Sequence, residues 1–252
     1  MHTTRTAPVT GSVLGPALGS AFLCAMVAAQ VMSGLSDDPP LFTEVVVALL
    51  AASAVSFAAA ALGRTRAVAA FGAAVAVGYA AELVGVHTGF PFGAYHYTDA
   101  LWPQAGGVPL VVALAWGGMG LAAYGIGGAV GGRGGVVVGA LALTAWDLFL
   151  DPQMIRLGLW VWADPGPYRG VPLTNLAGWL LVSLLVMVVI RRIAGHDRPA
   201  GTGLVALYTT MAAMETLGFA AVFDPPDPLV AAVGGVAMGT FAVVGWRRLW
   251  LR

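Results

Sequence analysis

The sequence predicts an all-α protein, a polytopic bundle of about eight transmembrane helices forming one integral membrane domain over residues 1–252. Three observations lead there. The chain is 59% hydrophobic and only 10% charged, with a mean hydropathy of +0.84. A soluble domain carries about 25% charged residues, so this surface could not be coated with water. Apolar runs of spanning length recur along the whole chain, and its cations gather on alternate sides of them.

The first run, 13–32, follows Arg5 and ends in small residues near Ala28 and Ala29, as a signal peptide does. It is also long enough to span, and we read it as a retained helix (seven spans would remain if it were cleaved). The others lie at 42–62, 67–86, 108–130, 135–151, 174–193, 203–223 and 228–246. The fifth is short and predicts a helix with little tilt, ending at Asp151 before Pro152. Helices are expected because a backbone in lipid must satisfy its own hydrogen bonds, and these runs are too long for barrel strands. Glycine pairs such as Gly117-Gly118 and Gly127-Gly128 predict close helix contacts.

There is no Lys, so Arg carries every fixed positive charge. With an inside amino terminus, the inner segments hold Arg5, Arg64, Arg66, Arg133, Arg191, Arg192, Arg198, Arg247, Arg248 and Arg252, the outer ones only Arg156 and Arg169. By the positive-inside rule both termini are cytoplasmic in a multi-pass protein of the cell membrane. The outer side instead collects Asp37-Asp38-Pro39-Pro40, Asp99, Asp164 and Asp224-Pro225-Pro226-Asp227. Zero net charge argues against nucleic acid as a partner. The single cysteine, Cys24, permits neither an internal disulfide nor a cysteine metal site.

The chain echoes itself. Gly107-Val108-Pro109-Leu110 and Gly170-Val171-Pro172-Leu173 each open a helix, and Trp116 and Trp179 follow at the same spacing. Each follows an aromatic outer loop and, before it, an acid near a helix end, Glu82 or Asp147. The third–fourth and fifth–sixth helices therefore read as copies of one unit, with Glu215 marking a weaker third copy.

Those acids are the candidate chemistry. An ionised Asp at the centre of a spanning helix costs about 2.5–3.5 kcal/mol on insertion scales, so Glu82, Asp147, Asp151 and Glu215 are functional candidates. Asp147 and Asp151 are four residues apart on one helix face, about 6 Å apart in depth. Such a pair is suited to hold one proton, a general acid beside a carboxylate. Ordinary alternatives are hydrogen bonding between helices or contact with headgroups, above all for Asp151.

Of the tryptophans, Trp102, Trp160 and Trp162 are expected at the membrane interface. Trp116, Trp146 and Trp179 lie inside spans and could line a pocket, their faces stabilising a cation. The loop from Glu82 to Tyr97 holds His87 and His96 without metal-ligand spacing, and four histidines are too few for a di-iron oxygenase. No phosphate-binding glycine loop is present.

The segments Glu82–Tyr97 (E-x-x-G-V-x-T-G-x-P-F-G-x-Y-x-Y), Gly107–Trp116 (G-V-P-L-x5-W), Trp146–Met154 (W-D-L-F-L-D-P-x-M) and Gly166–Trp179 (G-x-Y-x-G-V-P-L-x-N-x-x-G-W) resemble the membrane-bound carotenoid hydratases, of the γ-carotene 1′-hydratase and bisanhydrobacterioruberin hydratase type. The resemblance covers about 82–179; outside it only hydropathy is shared. Leu176 stands where the pattern leads one to expect Phe. The resemblance implies water addition across the terminal C1,C2 double bond of an acyclic ψ-end group, giving a tertiary alcohol. It implies no redox cofactor and no metal. The partners it implies are an acyclic carotenoid drawn from lipid, water, and other membrane enzymes of the same biosynthesis.

On that reading Asp147 or Asp151 protonates the alkene, and Glu82 or the ionised aspartate orients water, with Glu215 a further acid. Trp116, Trp146, Trp179, Tyr95, Tyr97, Tyr168, Asn175 and His87 are the candidate substrate-binding residues. Three other readings compete. A cyclase or isomerase would share the protonation step. A prenyltransferase would use Asp147-x-x-x-Asp151 for magnesium diphosphate, but a second Asp-rich motif is missing. A carotenoid carrier would not need buried acids.

Overall fold

A computed structural model describes residues 14–36, 40–195 and 201–251. Arg5, Arg198, Arg252 and Asp37 to Pro39 lie outside the described residues. The chain forms α1 (Leu14–Gly34), α2 (Pro40–Leu62), α3 (Arg64–Thr88), α4 (Leu110–Val130), α5 (Gly132–Arg156), α6 (Leu173–Ala194), α7 (Thr202–Leu217) and α8 (Pro228–Trp250). A π-helical turn, Gly218–Val222, extends α7. Among the described residues, eight spans, counting that turn with α7, are long and apolar enough to cross a membrane. Short strands occupy the loops: β1 (Tyr95–Tyr97), β2 (Gln104–Ala105), β3 (Val108–Pro109) and β4 (Trp160–Trp162).

Helix ends follow local chemistry. Gly89 closes α3 in the left-handed region at φ 76°, its N–H donating to the Gly85 carbonyl. Pro109 and Pro172, both extended, deliver the chain into α4 and α6. Asp227 caps α8 by accepting from the Val230 N–H at 3.2 Å, with Pro228 at the first helical position.

The fifth helix corrects the sequence expectation. It is 25 residues long and runs on to Arg156, with Pro152 inside it. Proline cannot donate to the carbonyl of Leu148 one turn back. The Tyr168 hydroxyl supplies that bond instead, at 2.8 Å. Asp151 therefore sits within a continuous helix and not at its carboxyl end.

Helices α3, α4, α5 and α6 form a closed ring, each packed on the next and α3 on α6. The α1–α2 hairpin packs on α4 through α2, and α7 and α8 cover α4, with α8 also on α5. This makes α4 the most enclosed of the spans. Its approach to α5 depends on glycine: a Cβ on Gly127 would lie 2.3 Å from the Gly135 carbonyl oxygen. Gly127→Leu should therefore separate the helices at a cost of about 1–3 kcal/mol or more. Thermal unfolding in detergent at the wild-type temperature would contradict this.

The two copies meet across the ring. Strands β1 and β4 pair antiparallel, Tyr95 opposite Trp162 and Tyr97 opposite Trp160. The chain separation between Glu82 and Asp147 equals that between Tyr95 and Trp160, so the pairing joins equivalent segments. The equivalent Trp116 and Trp179 stack with centroids 4.1 Å apart and planes 19° apart. These are parallel repeats, as α3 and α5 run the same way.

Candidate functional site

The repeat places its acids between the ring helices, near the ends of α3 and α5. Glu82 is 4% exposed and fully engaged. Its Oε2 accepts from the Tyr95 hydroxyl and from the Tyr97 hydroxyl at 2.8 Å, and its Oε1 from Trp116 Nε1 at 2.9 Å. Trp116 reaches this position because Gly78 on α3 leaves room; a Cβ there would stand 2.3 Å from the indole. Burial, and after it the Glu82 charge, hold the Tyr95 and Tyr97 phenols above their ordinary value. Both stay protonated donors.

Across the cavity the α5 carboxyls are tied by one amide. Asn175 Nδ2 donates to Asp147 Oδ2 at 2.8 Å and to Asp151 Oδ2 at 2.5 Å. Both aspartates and Asn175 are almost wholly buried. Asp147 Oδ1 and the indole N–H groups of Trp146 and Trp162 are buried without a partner among the described residues. Orphaned polar groups of this kind are rare in a finished core.

Between the two acid groups lies a cavity of ≈ 30 Å³, lined by Glu82, Asp151, Asn175, Tyr95, Tyr97 and the indoles of Trp116, Trp146, Trp160, Trp162 and Trp179. A water needs about 10–15 Å³ of such space, so at least one fits. Trp146 meets Trp179 edge to face at 6.0 Å, and Tyr95 lies 5.0 Å from Trp162. The chamber combines a carboxyl pair, an anchored third carboxyl and a wall of aromatic faces.

Of the residues singled out in the sequence, Glu82, Asp147, Asp151, Tyr95, Tyr97, Asn175, Trp116, Trp146 and Trp179 gather here. Three do not. Tyr168 is spent on the Leu148 carbonyl. His87 is exposed, with Nδ1 2.8 Å from the Leu83 carbonyl of its own helix. Glu215 lines a separate cleft. Trp102 is 74% exposed, as an interfacial residue would be, but Trp160 and Trp162, given the same reading, are buried in the chamber wall. The clue lay in the repeat: Trp160-Val161-Trp162 alternates like Tyr95-His96-Tyr97, whose outer members point inward.

Beside the chamber, Arg169 clamps Asp227 through Nε (2.6 Å) and Nη2 (2.9 Å), tying the loop before α6 to the start of α8. Burial pushes the Asp227 carboxyl up, but the Arg169 and Val230 hydrogen bonds outweigh it and hold the group below its ordinary value. The tie is therefore fully present above the ordinary carboxylate range and is lost as pH falls through the lowered value. Amide protection of residues 166–171, corrected for intrinsic exchange, should fall in that acidic window. Unchanged protection there would mean the clamp does not hold the loop.

The chain matches the family model described as carotenoid biosynthesis protein over residues 43–242. It is also similar to a bisanhydrobacterioruberin hydratase of Haloarcula japonica, 36% identical over 110 residues. That similarity covers 41% of this chain and spans 37% of the relative's length. No solved structure matches.

Proposed function

The chain belongs to the carotenoid biosynthesis protein family, and from that premise we propose that it hydrates the terminal C1,C2 double bond of an acyclic carotenoid. The observation carrying this reading is the carboxyl pair tied by Asn175 opposite an anchored Glu82, inside an aromatic chamber with room for water. Two neighbouring carboxyls with only one amide between them hold one shared proton more readily than two charges.

Asp151, on the chamber wall, gives that proton to C2. A C–H bond forms there, and C1 is left as a tertiary cation. Indole faces and the Glu82 carboxylate stabilise the charge. Water adds through its oxygen to C1, and its surplus proton returns to the aspartate pair. One water is added, nothing is oxidised, and the acid is restored. Asp147 shares the proton through its position beside Asp151.

The substrate is taken from lipid, and other membrane enzymes of the same biosynthesis are proposed neighbours. Arginine placement supports both termini on the cytoplasmic side and the chamber at the opposite interface. There a carotenoid spanning a hydrocarbon core of about 30 Å would present one end.

Expression in cells that accumulate acyclic carotenoids tests the reading. The expected pigment is heavier by one water, with its oxygen drawn from labelled water. Oxygen drawn from O2 would overturn hydration, as would unchanged pigment across several ψ-ended carotenoids.

A further inference from the structure

The chamber has a neighbour. A cleft of ≈ 290 Å³ opens between the α1–α2 hairpin and the outer halves of α5 and α7, walled largely by apolar side chains such as Val47, Leu50 and Met214. The cleft and the chamber share two wall residues, Trp146 and Leu150. These stand four apart on α5, a stripe directly beside the Asp147–Asp151 stripe. A chain lying in the cleft and passing over Trp146 and Leu150 would arrive at Asp151.

The cleft is not an ordinary packing gap. Glu215, 7% exposed, lines it, and its carboxyl accepts from no described residue. Gln30 Oε1, also on its wall, is buried without a partner among the described residues. Two unmet acceptors in an apolar groove call for an occupant with an O–H group. The π turn Gly218–Val222 shapes the far wall, and such turns recur at functional sites.

We propose that this cleft holds the isoprenoid chain behind the reacting end, and that substrate reaches the acid chamber and alcohol leaves it past Trp146 and Leu150. The inference rests on the hydratase reading for its occupant. Glu215 and Gln30 receive the new tertiary hydroxyl as the product withdraws, which accounts for an acid set apart from the chamber.

The test measures retained pigment. Purified full-length protein in detergent is incubated with an acyclic ψ-ended carotene or its tertiary alcohol, and co-eluting absorbance is read. Val47→Trp on α2 and Met214→Trp on α7 fill the cleft from opposite walls, so misfolding of one leaves the other to decide. Each should lower carotene retention about tenfold, whereas Val243→Trp, on an exposed part of α8, should not. Glu215→Leu should weaken retention of the alcohol and spare the hydrocarbon. Undiminished carotene retention in the folded cleft variants would overturn the proposal whether or not the protein hydrates anything. Retention lost in those variants, with no carotenoid ever hydrated, would support the cleft and remove the hydratase reading alone.

Discussion

Asp151→Asn should abolish hydration while leaving the bundle inserted and folded. Asn has the shape of Asp but no proton to give, so the variant removes the acid and little else. General acid catalysis contributes about 10²–10⁴-fold, and a reaction that must make a tertiary cation belongs near the upper end. The substitution is gentle on the structure: Asp151 Oδ2 accepts from Asn175, and an Asn carbonyl accepts that bond equally well. Asp147→Asn should also impair hydration, because the surplus proton of the added water then returns to a single carboxyl and not to a pair. Substrate retention in the cleft should survive both changes, separating loss of chemistry from loss of binding. Measured turnover within a few fold of wild type in Asp151→Asn would take that residue out of the mechanism.

The architecture was legible because lipid leaves a chain few options. Apolar run length located every span, with boundaries moved by a few residues. The main error, the end of α5, has a physical cause. Proline normally closes a helix from sequence, and only the fold shows that Tyr168, brought over from the next loop, satisfies the Leu148 carbonyl. The acids were legible because charge in hydrocarbon is costly. Their grouping was less so. Glu82 and Asp151 face one cavity because β1 pairs with β4 and Trp116 stacks on Trp179, contacts between copies that spacing alone could suggest but not fix. Glu215 shows the opposite limit: similar in type and depth to the others, it is placed by α7 against another cavity.

Glu82 allows the electrostatic half of the mechanism to be separated from the structural half. It receives three donors, two tyrosine hydroxyls and one indole. In Glu82→Gln the amide oxygen can keep the indole, which can only donate, and the amide NH2 can face the tyrosines, whose hydroxyls can also accept. The network survives and the charge is lost. Removal of one preorganised electrostatic contact typically costs about 10²–10³-fold in turnover, and that is the expected result with unfolding temperature little changed. Tyrosine titration supplies a readout independent of activity. The Tyr95 and Tyr97 phenols are raised by burial first and by the Glu82 charge second. Their ionisation should therefore move down in Glu82→Gln but stay above the ordinary phenol value. Glu82→Leu should behave differently, stranding three buried donors at about 1–3 kcal/mol each and destabilising the fold itself. Full turnover in Glu82→Gln would make Glu82 a structural anchor for the aromatic loop and leave stabilisation of the cation to the indole faces.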